Sequence, residues 1–323
     1  MKEPIDAVIA WVDGNDPAHM KKMQPYLSRQ AQISDDIAGP TRYRSQGEIF
    51  YCVASIQRFA PFIRKIFIVT DEQNPQLTGF IEKNFPDNPI PIEIVDHKVL
   101  FRGYEQYLPV FSSRAVETCI HRIPELSEHY IYFNDDFFLI RPVQKTDWFI
   151  DDKIIAYGNW RNMLPDRLLW YVKPKRHGHK PVGFKDGMIC AARNIGYRWK
   201  YFHLDHSPHP VKKSVIEKIY SENPKLYLSN ISYRFRDGKQ FNTFELYYLE
   251  MLKEKKAIIK PASKHLLYMK PVNRGNGYIP RKMRTFSKIQ SLKFGCIGSI
   301  DLATETDRST LFNWLKTTIN ITF

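Results

Sequence analysis

The sequence predicts an open parallel α/β sheet that binds its ligand along one edge. Short apolar runs recur through the first half with helix-patterned stretches between them, the alternation expected of a parallel sheet. Each run finishes at its C-terminal end in acidic or polar residues, the place where open α/β sheets bind ligands. One of them, Tyr130 to Phe133, leads into Asn134-Asp135-Asp136, two adjacent carboxylates against a run that reads as a buried strand. Burying a carboxylate is costly unless a cation or hydrogen-bond donors compensate it, so something positive is expected beside Asp135 and Asp136. An Asn-Asp turn whose side chains cap backbone N–H groups is the alternative.

In chain order, Ile5 to Val12 (IDAVIAWV) reads as the first strand and ends in the turn Asp13-Gly14-Asn15-Asp16-Pro17. Glu48 to Phe59 carries apolar residues at helical spacing. Ile66 to Thr70 (IFIVT) is a second strand ending in Asp71, Ile92 to Val95 a third ending in Asp96-His97, and Tyr130 to Phe133 the fourth. Between the last two, residues 105–128 run from Ser112-Ser113, a candidate N-cap, into a helix with Glu117 and His121 at i, i+4 on one face. Glu117 and Arg114 alternatively face solvent. Residues 150–200 are basic, rich in Gly and Pro and weakly periodic, which reads as a loop or lid that hides short elements. Residues 211–222 and 242–255 read as amphipathic helices, 261–290 as a basic loop-like segment, and a short last helix runs from about Ser309 to Thr318. No repeat, low-complexity tract or linker is evident, so residues 1–323 are expected to form one domain with insertions.

A hydrophobic fraction of 43% is ordinary for a globular protein, and a mean hydropathy of −0.42 argues against residence in a bilayer. No apolar stretch approaches the roughly 18–20 residues that span one. The first apolar run is short and bracketed by Asp6 and Asp13, unlike a signal peptide, so a cytosolic protein is expected, in contact at most with the inner membrane face. Cys52, Cys119, Cys190 and Cys296 are scattered without metal-site or disulfide spacing and are expected to be thiols. The net charge of +14 implies an anionic partner: nucleic acid, anionic lipid, or a phosphorylated substrate or polymer. No helix-turn-helix, RRM or zinc-finger signature supports nucleic acid.

Three further segments carry candidate chemistry. In WVDGNDP, Asp13 at the tip of the first strand is placed to meet a nucleotide or a metal, and Gly14 lets the backbone approach a ligand; a plain Asp-Gly turn is the other reading. HLDHSPHP puts three histidines within seven residues, with prolines that hold His206 and His209. That suits acid–base work or phosphate contact better than structural zinc, because no cysteine partners them. In YRFRDGKQF, Arg234 and Arg236 would share one face of a strand and grip a phosphate, or else form a solvated basic edge. Acidic strand tips, a histidine cluster and paired arginines together describe a site that handles phosphate with a metal.

The order of IDAVIAWVDGNDP, YRSQGEIFYCVASIQRFAPFIRKIFIVTDEQNP with IVDHKVLF, LPVFSSRAVETCIHRIPELSEHYIYFNDDFFL, and then HSPHP with YRFRDGKQF closely resembles the Stealth family. That family holds bacterial capsular-polysaccharide phosphotransferases and the animal N-acetylglucosamine-1-phosphotransferase. The match is strongest over residues 5–142 and looser over 200–250. The resemblance implies a GT-A-like nucleotide-sugar fold and transfer of a sugar 1-phosphate from a UDP-sugar to a hydroxyl of a glycan or lipid-linked glycan, with release of UMP. It implies Asp13 and Gly14 at the nucleotide-sugar site, Glu117 and Asp136 on donor sugar or metal, and Mg2+ or Mn2+ held by Asp136 with Asp135. His206 would be base or nucleophile, and Arg236 would neutralise phosphate, with Arg234 as its register alternative. His209 and Arg114 join the substrate contacts. The chain departs from the family where FGCIGSIDLATET replaces a Cys-Ile-Asn-Asp run: Gly298 and Ser299 stand for Asn-Asp, and Asp301 or Asp307 would have to compensate. Gln240 likewise stands near an acidic position. A conventional glycosyltransferase that uses Asp135 and Asp136 as its metal motif and releases UDP is the alternative, and a silent scaffold a third. Segments 173–180 and 281–293 are candidates to hold a polyanionic glycan or an anionic membrane face.

Overall fold

In the computed structural model of the chain, which describes residues 3–29, 44–165, 168, 183–275 and 277–323, the apolar runs become strands. They are β1 (Ile5–Ala10), β2 (Ile63–Thr70), β3 (Ile92–Asp96) and β4 (His129–Asn134). Eight shorter or later strands follow: β5 (Phe137–Leu139), β6 (Phe149–Ile150), β7 (Lys153–Asn162), β8 (Lys200–Leu204), β9 (His209–Lys212), β10 (Ala257–Lys260), β11 (Leu266–Met269) and β12 (Phe294–Ile297). The main sheet has the order β3-β2-β1-β4-β9; its first four strands are parallel and β9 closes one edge antiparallel to β4. β1 is central and buried along nearly its whole length, which is why it reads as an unbroken apolar run rather than as an alternating one. Parallel register aligns the carboxyl ends: Ala10 pairs with Val69 and with Asn134, and Thr70 with Asp96. Residues far apart in the chain therefore meet along one edge.

The helix Glu48–Phe59 packs on β5 and against the C-terminal helix Glu305–Ile319, with most of its residues buried. Two smaller sheets complete the fold, β10-β7-β6 with β8 on the far part of β7, and β11-β12-β5. Most of the buried apolar side chains form one continuous cluster. Among the described residues no helix is long and apolar enough to cross a membrane. Cys52, Cys119 and Cys296 are buried thiols and Cys190 is half-buried.

The one charge on the central strand, Asp6, is fully buried and answered by Arg64, whose Nε and Nη2 donate to the two carboxylate oxygens at 2.8 Å each; the Ser127 N–H adds a third bond at 2.7 Å. Arg64→Ala leaves that charge buried without its cation. The expected loss is roughly 2–4 kcal/mol, because the guanidinium is itself partly exposed, and a urea midpoint unchanged from wild type would contradict it.

Several expectations are corrected. Residues 150–200 are not a loop throughout: they hold β7, the helix Phe184–Asn194 and the start of β8. β7 buries a run of five residues before turning outward, so neither period showed. The rest of the expected lid, with the basic segment 173–180, lies outside the described residues. The segment 261–290 contains β11 and the helix Tyr278–Lys288. The helix begun at Ser113 ends at Cys119 and tightens into a 3-10 turn at Ile120–Arg122. Glu117 and His121 therefore part, His121 packing between Tyr220 and Tyr227. Arg234 and Arg236 lie in a loop rather than on a strand.

Candidate active site

At the carboxyl edge of the parallel strands a cavity of about 320 Å³ opens between the ends of β1, β2 and β4, the start of the helix Glu48–Phe59 and the residues after β12. One part of its wall is acidic. Asp135 and Asp136 make the turn from β4 to β5, and β12 props them there: the Ile297 N–H donates to the Asp136 carbonyl at 3.2 Å and the Cys296 thiol to Asp136 Oδ2 at 3.6 Å. Burial pushes Asp136 up to about 7, with the Cys296 thiol opposing and Glu48 adding to the rise. Burial also pushes Asp135 well above the carboxylate range, helped by Glu48 and Asp136. Glu48, in the first turn of its helix, is raised by burial and further by Asp301 and Asp13. Such a group of carboxylates is stable only with a shared proton or a cation among them. Among the described residues no basic side chain is ion-paired to Asp135 or Asp136, although Arg44 and Arg236 line the same cavity.

Arg236 lines the same cavity, its Nη2 donating to Ser113 Oγ at 3.0 Å. Beside it Glu117 is half-buried, and desolvation raises it to about 7 against the pull of Arg236 and a hydrogen bond from Tyr132. The Tyr132 hydroxyl lies 3.2 Å from Glu117 Oε1 and 2.7 Å from Asn134 Oδ1, which links Glu117 to the residue before the acidic pair.

The turn after β1 is clamped by Gln73, which accepts from the Asp13 N–H and donates to the Asp13 carbonyl, both at 2.9 Å, and to Asp16. Trp11 and Val12 line the cavity, while Asp13 and Gly14 follow them in the turn, where the Asp13 carboxylate accepts from the Asn15 N–H. Asp13 lies close enough to raise Glu48.

Four candidates go elsewhere. Arg114 is buried as a strut: it donates to the carbonyls of Asp237 at 3.0 Å, Gln240 at 3.3 Å and Gly183 at 2.7 Å. Arg234 stacks over Tyr26 and donates to the Leu108 carbonyl, so only the second arginine of the pair reaches the cavity. His209 sits on β9 opposite Tyr132, packed on Phe244 and Tyr248; burial lowers it to about 3 and keeps it neutral, a core histidine. His206 follows β8 and is not in the cavity wall. Its ring stacks on Tyr268 at 5.2 Å and lies tilted against Phe184 at 5.0 Å, with Phe137, the neighbour of Asp136, at 6.5 Å. Gln240 is likewise structural, bonded to Ser112, Asp237 and Asn230. In the altered last block Asp301 and Ser299 line the cavity, whereas Asp307 lies in the first turn of the C-terminal helix.

The fit around Arg114 is tight. A Cβ on Gly187 would stand 2.7 Å from Arg114 Nη2 and 2.1 Å from Asn242 Oδ1. Gly187→Ala is expected to cost roughly 1–3 kcal/mol as these side chains are displaced, and a melting temperature equal to wild type would refute the packing.

Sequence reasoning offered Asp301 only as an alternative to Asp307, and did not single out Glu48 or the histidines of the wall, His19 and His97. His19 Nδ1 lies 3.1 Å from Asp71 Oδ2, and Lys22 Nζ lies 2.9 Å from Asp71 Oδ1. Burial would raise Asp71, but these two bonds outweigh it and bring it to about 2. His97 is buried and lowered to about 4. The end of β2 in Asp71 was the available signal; nothing in the spacing of His19 pointed to it.

Among the described residues no three His, Cys, Asp or Glu side chains converge as a metal-ligand set. The donor chemistry of Asp135 and Asp136, hard oxygens crowded together and ion-paired to no lysine or arginine among the described residues, nonetheless fits a hard divalent ion that takes its remaining ligands from water and phosphate.

Residues 3–31 match the model of Stealth protein CR1, conserved region 1, and residues 42–157 that of Stealth protein CR2, conserved region 2. The chain is 33% identical over 273 residues to the capsular polysaccharide phosphotransferase fcs1 of Haemophilus influenzae, covering 80% of this chain and 68% of that one. It is 28% identical over 277 residues to the capsular polysaccharide phosphotransferase WcwK of Streptococcus pneumoniae, covering 80% and 81%. Among solved structures it resembles the apo bifunctional glycosyltransferase WbbM, with a TM-score of 0.51 and 9% identity over 99% of this chain and 50% of that one. The likeness identifies the fold, a GT-A-like architecture, and carries nothing about the chemistry.

Proposed function

The chain belongs to the Stealth family of sugar-phosphate transferases, and from that premise we propose that it moves a hexose 1-phosphate, in particular an N-acetylhexosamine 1-phosphate, from a UDP-sugar to a hydroxyl of a capsular or surface glycan. The product is a phosphodiester and the leaving group UMP. The observation that carries this reading is the presence, in one cavity at the carboxyl edge of the sheet, of a half-buried carboxylate couple and the Arg236 guanidinium. Attack on phosphorus spreads charge over its non-bridging oxygens, and preorganised cations facing them are the main source of rate.

Each residue has a task that follows from its place. The Trp11–Gly14 end of β1 takes the nucleotide, as the first strand tip does in nucleotide-binding sheets. Arg236, steadied by Ser113, takes a non-bridging oxygen of the transferred phosphate. Asp135 and Asp136 would hold Mg2+ or Mn2+, which when bound supplies the charge that the donor diphosphate needs. Glu117, through Tyr132 and Arg236, positions the sugar side of the site. We assign proton acceptance from the acceptor hydroxyl to His206, which burial keeps neutral. Its ring stands one aromatic layer behind the acidic pair, and catalytic hydrogen bonds of this kind often close only in the loaded complex.

The test is to incubate the protein with UDP-N-acetylhexosamines, Mg2+ or Mn2+ and a glycan acceptor, and to identify the released nucleotide by mass. UMP with a phosphodiester in the product is the expected result. UDP would select the second reading, a conventional glycosyltransferase. A His206→Ala variant that still released UMP at the wild-type rate would move the base to Glu117.

A further inference from the structure

Between Glu254 and Asp301 the chain holds no aspartate or glutamate and eleven lysines and arginines, most of the net +14. Part of this charge is gathered at one place. Around the Tyr278 ring stand Arg274 at 5.4 Å, Arg281 at 5.9 Å and Lys282 at 5.6 Å, three cations on one aromatic ring. Arg274, Tyr278, Arg281 and Arg284 line a groove of about 520 Å³. Among the described residues none of these cations is ion-paired to a carboxylate, and Lys282 is lowered by burial and by the nearness of Arg281 and Arg274. Like charges crowded without a counter-ion disfavour one another, so the groove is built at a cost that an anion would relieve.

The groove adjoins the candidate site. The Lys270 N–H donates to the Tyr278 hydroxyl at 3.0 Å, and two residues earlier Tyr268 stacks on His206. The same Tyr268 hydroxyl is what a Cβ on Gly298 would meet at 3.4 Å, immediately before the cavity residue Ser299. Tyr268 therefore lies beside Gly298 at the cavity and close in sequence to Lys270, which bonds Tyr278 in the groove.

We propose that this groove is a second anion site, which takes a phosphodiester of the acceptor glycan one or more units behind the reacting end. The inference rests on the phosphodiester product proposed above. Two features select a glycan rather than a membrane surface. The groove is shallow and sets an aromatic ring among its cations, which suits a sugar and its phosphate together. The helix Tyr278–Lys288 also has no apolar face left for lipid: Ile279 is buried, and Phe286 packs against Trp314 and under the Arg141 guanidinium. Its exposed positions are Pro280, Arg281, Arg284, Ser287 and Lys288, and interfacial helices need apolar residues on the lipid side.

The experiment is direct binding of the full chain to a fluorescent phosphodiester-linked hexose oligomer, to an uncharged oligomer of the same length, and to phosphatidylglycerol vesicles. The wild type is expected to bind the phosphodiester oligomer with an affinity that falls steeply with salt, and R274Q/R281Q/R284Q to bind it about tenfold or more weakly. Arg281→Gln alone, on an exposed face, should give the same direction at smaller size, which guards against a folding defect in the triple variant. Equal binding by wild type and triple variant, or binding to vesicles but not to the oligomer, would overturn the proposal. The nucleotide assay on the same preparation separates the two ideas. UDP release with intact, arginine-dependent oligomer binding would remove the proposed reaction and keep the groove, whereas UMP release with no arginine dependence would remove the groove alone.

Discussion

Asp136→Asn is expected to lower turnover on the order of a thousandfold while leaving the protein folded. Asparagine keeps the size of the side chain and an oxygen that can accept from the Cys296 thiol, so the turn between β4 and β5 has no reason to open. What is lost is a negative hard-oxygen donor in a place where, among the described residues, carboxylates crowd without an ion-paired cation. A variant within about tenfold of wild type would mean that Asp136 neither holds a cation nor meets the reacting phosphate.

The same substitution has an opposite expected effect on stability. Asp136 titrates near 3.8 when unperturbed and at about 7 in the folded chain, raised first by burial and further by Glu48. Between those values the folded protein holds a proton that the unfolded chain has released, so its stability falls as pH rises from about 4 to about 7 and is flat in this respect outside that window. Ionising the group in the folded protein costs at most roughly 4 kcal/mol. Asp136→Asn should therefore melt several degrees higher than wild type at pH 7.5 and about equally at pH 4, because the asparagine carries no charge to bury. Mg2+ or Mn2+ should raise the melting temperature of the wild type at pH 7.5 and raise that of the variant much less, since only a ligand of the folded state stabilises it. A variant less stable than wild type at neutral pH would show that the carboxylate is compensated in the fold after all.

The strands were legible because burial on both faces leaves unbroken apolar runs, and the acidic tips marked the edge at which the cavity opens. Four of the parallel-sheet strands and the helix Glu48–Phe59 could be read to within a few residues. The composition of the cavity wall was less legible. Glu48 and Asp301 are separated by most of the chain and meet only because β12 pairs with β5 beside the start of that helix. His209 misled for the opposite reason: in HSPHP it looks exposed and chemical, but β9 pairs with β4 and drives its ring into the core. The two arginines of YRFRDGKQF share a face only on a strand, and the chain there is a loop held by Gln240 and Arg114. Side-chain spacing predicts neighbours within an element, and these contacts are made between elements.

Arg236→Ala is the second large loss, roughly a hundredfold to a thousandfold in turnover. It separates the two roles proposed for this side chain. The first is electrostatic: a guanidinium in the cavity that meets charge developing on the phosphate. Arg236→Lys keeps that charge but not the planar fork held by Ser113 Oγ, so it should recover part of the activity and not all of it. The second role acts on Glu117. Burial raises its carboxyl to about 7, and Arg236 is the foremost charge opposing that rise. Removing the cation disfavours the ionised form, so Glu117 should titrate higher in Arg236→Ala, and an acidic limb of the pH–rate profile that reports its ionisation should move to higher pH. In Arg236→Lys the limb should stay close to wild type, because a cation remains nearby. A loss of rate without any displacement of the profile would confine Arg236 to the phosphate. A displaced profile with little loss of rate would make it a positioning residue for Glu117, and the charge that meets the phosphate would then have to come from a cation that Asp135 and Asp136 would hold.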